Sequence, residues 1–149
     1  MANLISNKKA RFDFEILETF EAGLVLAGYE VKSIKLGRAK LNGAHILIRG
    51  GEAFLVNASV APYQSANMPK DYDPEHPRKL LLSKKELKKL ETESEQVGLT
   101  IVPIRLYNAG RKLKLEIAIA RGKQKADKRQ SMKKRDAKRD IERQLKTQE

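Results

Sequence analysis

Few side chains in this sequence have the type and spacing that a reaction requires. Cysteine is absent, which excludes thiolate nucleophiles, disulfides and Cys-ligated zinc. The two histidines, His45 and His76, have no partner at a ligand or catalytic spacing and read as ordinary polar residues. Asp71, Asp73 and Glu75 alternate as ligands of a hard cation do. An EF-hand loop started at Asp71 would need Gly and Glu where His76 and Leu82 stand, so a solvated loop tethered by Arg78 and Lys79 is the better reading. Gly50-Gly51 lacks the Lys-Ser/Thr of a P-loop and does not open a helix. No Ser/His/Asp set is evident either. The sequence therefore predicts no catalytic residue, no metal site, no cofactor and no small-molecule substrate.

Chemistry directed at polyanions is abundant instead. The 149 residues carry 31 Lys and Arg against 19 Asp and Glu, a net charge of +12. Such a field attracts nucleic acid ahead of any other partner. Half of the excess lies in residues 122–149, which hold 11 basic and 5 acidic side chains. There Arg135, Arg139 and Arg143 recur every four residues, as do Ala137, Ile141 and Leu145, so a helix would stack each set on one side. The arginine stripe repels itself and the apolar stripe is thin. This tail is expected to be disordered alone and helical against a polyanion that offsets the ordering cost.

The preceding residues must supply the scaffold. Phe12, Phe14 and Ile16 alternate with polar residues as a strand does, Glu21-Ala22-Gly23 reads as a turn, and Leu24 to Leu26 resume the chain beyond it. His45 to Arg49 and Ala53 to Asn57 flank Gly50-Gly51 as one hairpin; Thr100 to Asn108 and Lys112 to Ala120 flank Ala109-Gly110-Arg111 as another. In the last strand Leu113, Leu115, Ile117 and Ile119 share one face, opposite Lys112, Lys114 and Glu116. Two helices are predicted. One is short, from Tyr29 to Leu36. The other starts at a Ser83/Glu86 capping box and runs towards Val97, with Gly98 as its C-cap. Segment 62–78, with four prolines, reads as a long loop. The expectation is a mainly β fold with a few helices: an OB-like closed antiparallel barrel over residues 1–121 and a basic C-terminal tail over 122–149. No apolar run reaches membrane length and Met1 to Ala10 lack a secretory core, so a cytoplasmic protein with no membrane partner is expected.

Four ordered stretches resemble the SsrA-binding protein (small protein B) family. They are Asn7-Lys8-Lys9-Ala10; Phe20 to Leu26 with Gly28 to Ile34; Arg78 to Leu82 after Pro62-Tyr63; and Gly98 to Pro103, through Leu106-Tyr107, to Ala120-Arg121-Gly122-Lys123 and Asp127-Lys128-Arg129. Together they cover nearly the whole chain. The resemblance implies an OB-type barrel that binds the tRNA-like domain of transfer-messenger RNA (tmRNA). It also implies delivery of that RNA to stalled ribosomes, with the tail in the empty mRNA path against small-subunit rRNA near the decoding centre.

On the same basis Asn7, Lys8, Lys9, Arg11, Phe12, Glu21, Gly23 and Lys32 are the tmRNA-binding candidates. Asn7 would serve base edges or sugar hydroxyls, and the lysines phosphates. Phe12 would stack on an unpaired base or, as the strand parity suggests, fill the core. Glu21 would accept from an exocyclic amine or orient a neighbouring Lys, against its reading as a turn residue; Gly23 would serve the turn. Glu30, Val31, Lys32 and Ser33 would mix helix packing with surface charge. Gly122 is the expected hinge, and Lys123, Asp127, Lys128, Arg129, Lys133, Lys134 and Arg135 the ribosome-binding tail. Ala126 departs from the family, which carries a larger residue there. A general RNA-binding or ribosomal OB protein would share barrel and tail but would not predict the four motifs. A nuclease would predict acids or histidines clustered at strand ends.

Overall fold

The computed structural model describes residues 3–64 and 68–123. The elements, in order, are β1 (Asn3–Ser6), α1 (Lys8–Asp13), β2 (Phe14–Leu24), α2 (Gly28–Lys35), β3 (Ala39–Lys40), β4 (His45–Arg49), β5 (Glu52–Val56), β6 (Ser59–Val60), β7 (Arg78–Leu81), α3 (Lys84–Ser94), β8 (Leu99–Ala109) and β9 (Lys112–Gly122). Seven strands form one antiparallel sheet in the order β1-β8-β9-β2-β7-β5-β4, and β3 and β6 pair separately. Its hydrogen bonding does not close. β1 and β4 remain edges, although β4 lies against β8 across the fold. The mainly β class expected from the sequence holds, and the described sheet is open.

Both hairpins form where the glycines mark them. β4 and β5 pair from His45↔Val56 to Arg49↔Glu52 around Gly50 and Gly51, both at positive φ. β8 and β9 pair from Leu99↔Arg121 to Ala109↔Lys112 around Gly110, which also has positive φ. In β9 the alternation sets Leu115, Ile117 and Ile119 into the main core, with Ile34 of α2 and Leu90 of α3. The Ser83/Glu86 capping box is present: Ser83 Oγ accepts from Glu86 N–H at 3.2 Å and Glu86 Oε1 accepts from Ser83 N–H at 3.1 Å. Helix α3 ends earlier than expected, at Ser94, and Gly98 (φ 83°) reverses the chain beyond it.

Three expectations are corrected. Residues Lys8–Asp13 are helical, so Phe12 is not in a strand and shares no face with Phe14 and Ile16. Glu21-Ala22-Gly23 is not a turn but the interior of β2, where Ala22 is fully buried. Gly23 accordingly has no left-handed φ; it is small because a Cβ there would lie 3.2 Å from Leu81 Cβ on β7.

The physical reason for α1 lies in β9. Beyond Glu116 both of its faces are buried: Ala118 and Ala120 are fully enclosed on the face away from Ile117 and Ile119. These two small residues leave room for a helix. Ala10 of α1 settles on them with Val102 and Ile104, while Phe14 and Ile16 flank this second, smaller core.

Candidate nucleic-acid interface

Helix α1 is a platform with one buried residue. Ala10 faces the sheet, and Lys8, Lys9 and Arg11 are exposed. None of the three is in an ion pair among the described residues. Their positions depend on Asn7, which is only 3% exposed. Asn7 Oδ1 caps the helix by accepting from Ala10 N–H at 3.2 Å, while Nδ2 donates to the carbonyls of Pro103 (2.8 Å) and Leu41 (3.2 Å). Its own N–H donates to Ile104 O at 2.8 Å. Asn7 is thus a clamp between β8, the segment after β3 and α1, and its amide is turned inward rather than toward a partner. Phe12 is half-buried at the end of this helix.

The far end of the sheet is tied to the same helix. Lys123 N–H donates to Asp13 O at 2.9 Å, so the chain leaves β9 beside α1. Arg11 and Lys123 border one groove, with Phe14, Ile16 and Glu116 in its wall. Lys9 and His45 border a cleft of about 320 Å³ whose lining includes Asp13, Phe14, Thr100 and Val102. The exposed Gly122 ends β9; Asp127, Lys128, Arg129, Lys133, Lys134, Arg135, Ala126 and the helical stripes of the tail lie outside the described residues.

Glu21 and Gly23 sit further along β2. Strand pairing sets Glu21 opposite Glu116 and Gly23 opposite Lys114. Across β9, Glu116 faces Arg105 and Lys114 faces Tyr107 on β8. Arg105 closes the row: its Nη2 lies 3.5 Å from Glu116 Oε2, its Nη1 donates to Asn3 Oδ1, and its guanidinium covers the Tyr107 ring at 4.2 Å. Arg111, Lys112 and Lys114 line the depression beside Gly23, with Val31 of α2. Lys32 is exposed on α2, with its Nζ 5.4 Å from the centre of the Tyr63 ring. No described contact joins it to the α1 cluster.

The sequence reading missed Arg105, Lys114, Arg111 and His45 as members of this surface. The polar face of β9 and its hairpin with β8 were visible, but its pairing with β2 was not. It also left Glu30 and Arg78 underused. Both are buried, at 3% and 2% exposure, and Arg78 Nε donates to Glu30 Oε2 at 2.7 Å. The same guanidinium donates to Ala58 O (3.0 Å), His76 O (3.1 Å) and Pro74 O (2.8 Å), and His76 Nε2 lies 3.1 Å from Glu30 Oε2. Arg78 therefore tethers the proline-rich loop through backbone carbonyls rather than through Asp71, Asp73 or Glu75, which stay exposed. Lys79 pairs with Glu52 at 3.1 Å instead.

Fold and site define a small, mainly antiparallel β protein that presents exposed cations on a short helix beside the exit of its C-terminal segment. Known proteins make that class specific. The model of the family described as SmpB protein matches residues 4–147. An SsrA-binding protein of Thermosynechococcus vestitus is 48% identical over 143 residues, covering 96% of this chain and 94% of the relative. Another, of Gloeobacter violaceus, is 50% identical over 140 residues, covering 94% and 91%. A solved structure described as "tmRNA-SmpB: a journey to the center of the bacterial ribosome" superposes with a TM-score of 0.69 at 42% identity, over 83% of this chain and 87% of that one. The chain belongs to the SmpB protein family.

Proposed function

We propose that this chain is the tmRNA-binding adaptor of trans-translation. Its body, residues 1–121, holds the tRNA-like domain of tmRNA, and its tail, residues 122–149, follows the empty mRNA channel to small-subunit rRNA near the decoding centre of a stalled ribosome. The protein carries out no reaction of its own and works in the cytoplasm. The wrapping of β4 against β8 supports an OB-type barrel, completed by packing where hydrogen bonds leave the edges open.

The observation that carries this reading is the arrangement at α1. Three cations with no ion pair among the described residues stand on a helix that Asn7 locks to the sheet, and the Lys123–Asp13 hydrogen bond starts the tail at the same spot. Lys8, Lys9, Arg11 and Lys123 take phosphates, with Phe12 beside them as a base contact. Glu21, Gly23 and Lys32 extend the surface along β2 and α2, and the basic residues from Asp127 to Arg135 continue it in the tail. On a surface bound to one RNA the cations set affinity and its salt dependence, while Glu21 contributes selectivity.

The test is binding of a tmRNA fragment containing the tRNA-like domain, with tRNA as competitor, across a range of salt. A complex that survives competitor and salt is expected; binding that fades with salt as steeply as tRNA binding would leave only a generic basic protein. Removing residues 122–149 should spare most of this binding and abolish tagging of stalled nascent chains. Equal loss of both would refute the division between body and tail.

A further inference from the structure

We propose that Arg105 is an RNA contact, a stacking platform for one unpaired nucleobase whose phosphate lies on Lys8 and Arg11; this rests on the reading of α1 as a tmRNA-binding element. Arg105, Lys8 and Arg11 border one shallow depression between α1 and the paired strands β1 and β8, with Asn3, Ser6 and Ile104 in its wall. Lys8 and Arg11 are three apart on α1 and so project from one side of the helix. The depression measures about 180 Å³, and no carboxylate among the described residues lines it. Pockets for free small molecules start near about 300 Å³, so this recess suits one group of a larger ligand. Three cations around it make that ligand a polyanion.

The Arg105 guanidinium is fixed as few long surface side chains are. Tyr107, two residues on along β8 and 3% exposed, lies beneath it with the ring centre 4.2 Å away. Nη2 is 3.5 Å from Glu116 Oε2 on β9, and Nη1 donates to Asn3 Oδ1 on β1. The group is held from the strands on both sides of β8. Its side chain is still 23% exposed, and Tyr107 takes no part in lining the depression. The ring occupies one face of the guanidinium, and the recess offers the other to a ligand.

Stability alone does not require this arrangement. A partly exposed pair at 3.5 Å contributes little, and a lysine could make it. Arginine differs in its flat, weakly hydrated faces, which stack on aromatic rings and on bases. With Tyr107 on one face, a base on the other completes a ring–cation–ring sandwich, and the side chain has already been ordered in folding. A paired base is enclosed by its neighbours in a duplex, so the platform takes an unpaired one. Every base has a π-face, so Arg105 selects single-stranded geometry rather than a particular base.

Full-length Arg105→Lys tests this against the tRNA-like tmRNA fragment and against copies of it whose unpaired nucleotides are made abasic one at a time. Lysine keeps the charge and loses the plane. Binding should weaken about 5-fold or more, the lower end of what one stacked base contributes, and the slope of log affinity against log salt should stay that of the parent. In the parent one abasic position should cost a similar factor; in Arg105→Lys that position should cost nothing further. Parental affinity in Arg105→Lys would show that the residue acts by charge alone. A loss that multiplies with every abasic substitution would show that it acts through the fold. Either result overturns the platform and leaves the α1 cations as contacts. A parent that binds the fragment no better than tRNA would overturn the tmRNA reading, and the inference with it.

Discussion

Replacing Asn7 separates a residue that builds the interface from the residues that use it. In Asn7→Ala the Ala10 N–H loses its cap, which costs about 1 kcal/mol at an N-cap. The Pro103 and Leu41 carbonyls lose a donor in a buried site, adding about 1–2 kcal/mol. A loss of about 2–3 kcal/mol is a large share of the roughly 5–15 kcal/mol typical of a domain, yet leaves most molecules folded. Urea denaturation should show a lower midpoint at constant m. RNA binding, measured well below that midpoint, should retain the parental salt slope, because no phosphate contact has been removed. Lys8→Ala and Lys9→Ala should do the reverse: stability within about 0.5 kcal/mol of the parent, and a salt slope shallower by about 0.7–0.9 for each. If Asn7→Ala kept its midpoint and lost affinity tenfold, the clamp would be wrong and Asn7 would be a direct RNA contact.

Arg78→Ala should destabilise by about 3–5 kcal/mol in urea denaturation, because it strands the buried Glu30 carboxylate and three loop carbonyls. Lys89→Ala, which breaks the exposed 2.7 Å pair with Glu18, should cost at most about 1 kcal/mol, and equal costs for the two would refute the burial argument. Gly23→Ala should cost less than about 1 kcal/mol, since Leu81 yields by tenths of an ångström and alanine suits a strand better; Gly23→Val should cost about 1–3 kcal/mol, and a harmless valine would show that β2 and β7 do not pack as described. Burial first, and the negative charge of Glu21 after it, push the Tyr107 hydroxyl from its ordinary 10 up to about 12. The unfolded chain therefore releases this proton first, so the contribution is complete below pH 10 and is lost as the pH rises to about 12. Tyr107→Phe should shrink that alkaline loss of stability, and an unchanged limb would show that burial of the hydroxyl does not raise its pKa.

Local rules made the hairpins, the Ser83/Glu86 cap and the core face of β9 legible, because each depends on residues within a few positions of one another. The same rules misplaced α1. Phe12, Phe14 and Ile16 alternate as a strand would, whereas the helix exists because Asn7 caps it and because Ala118 and Ala120, more than a hundred positions away, leave room for it. Glu21-Ala22-Gly23 has the composition of a turn, and only the approach of Leu81 explains why glycine belongs in a strand there. The cations of α1 were named through the family resemblance, and their exposure became visible only once α1 was placed on the sheet. Glu21 came forward only through the family resemblance, and its cross-strand neighbours Glu116 and Arg105 are set beside it by β9 and β8. Affinity for a polyanion can thus be spread over local chemistry, while discrimination needs groups that a sheet brings together from distant parts of the chain. Substitutions that erode selectivity without altering the salt slope should therefore concentrate on β8, β9 and β2 rather than on α1.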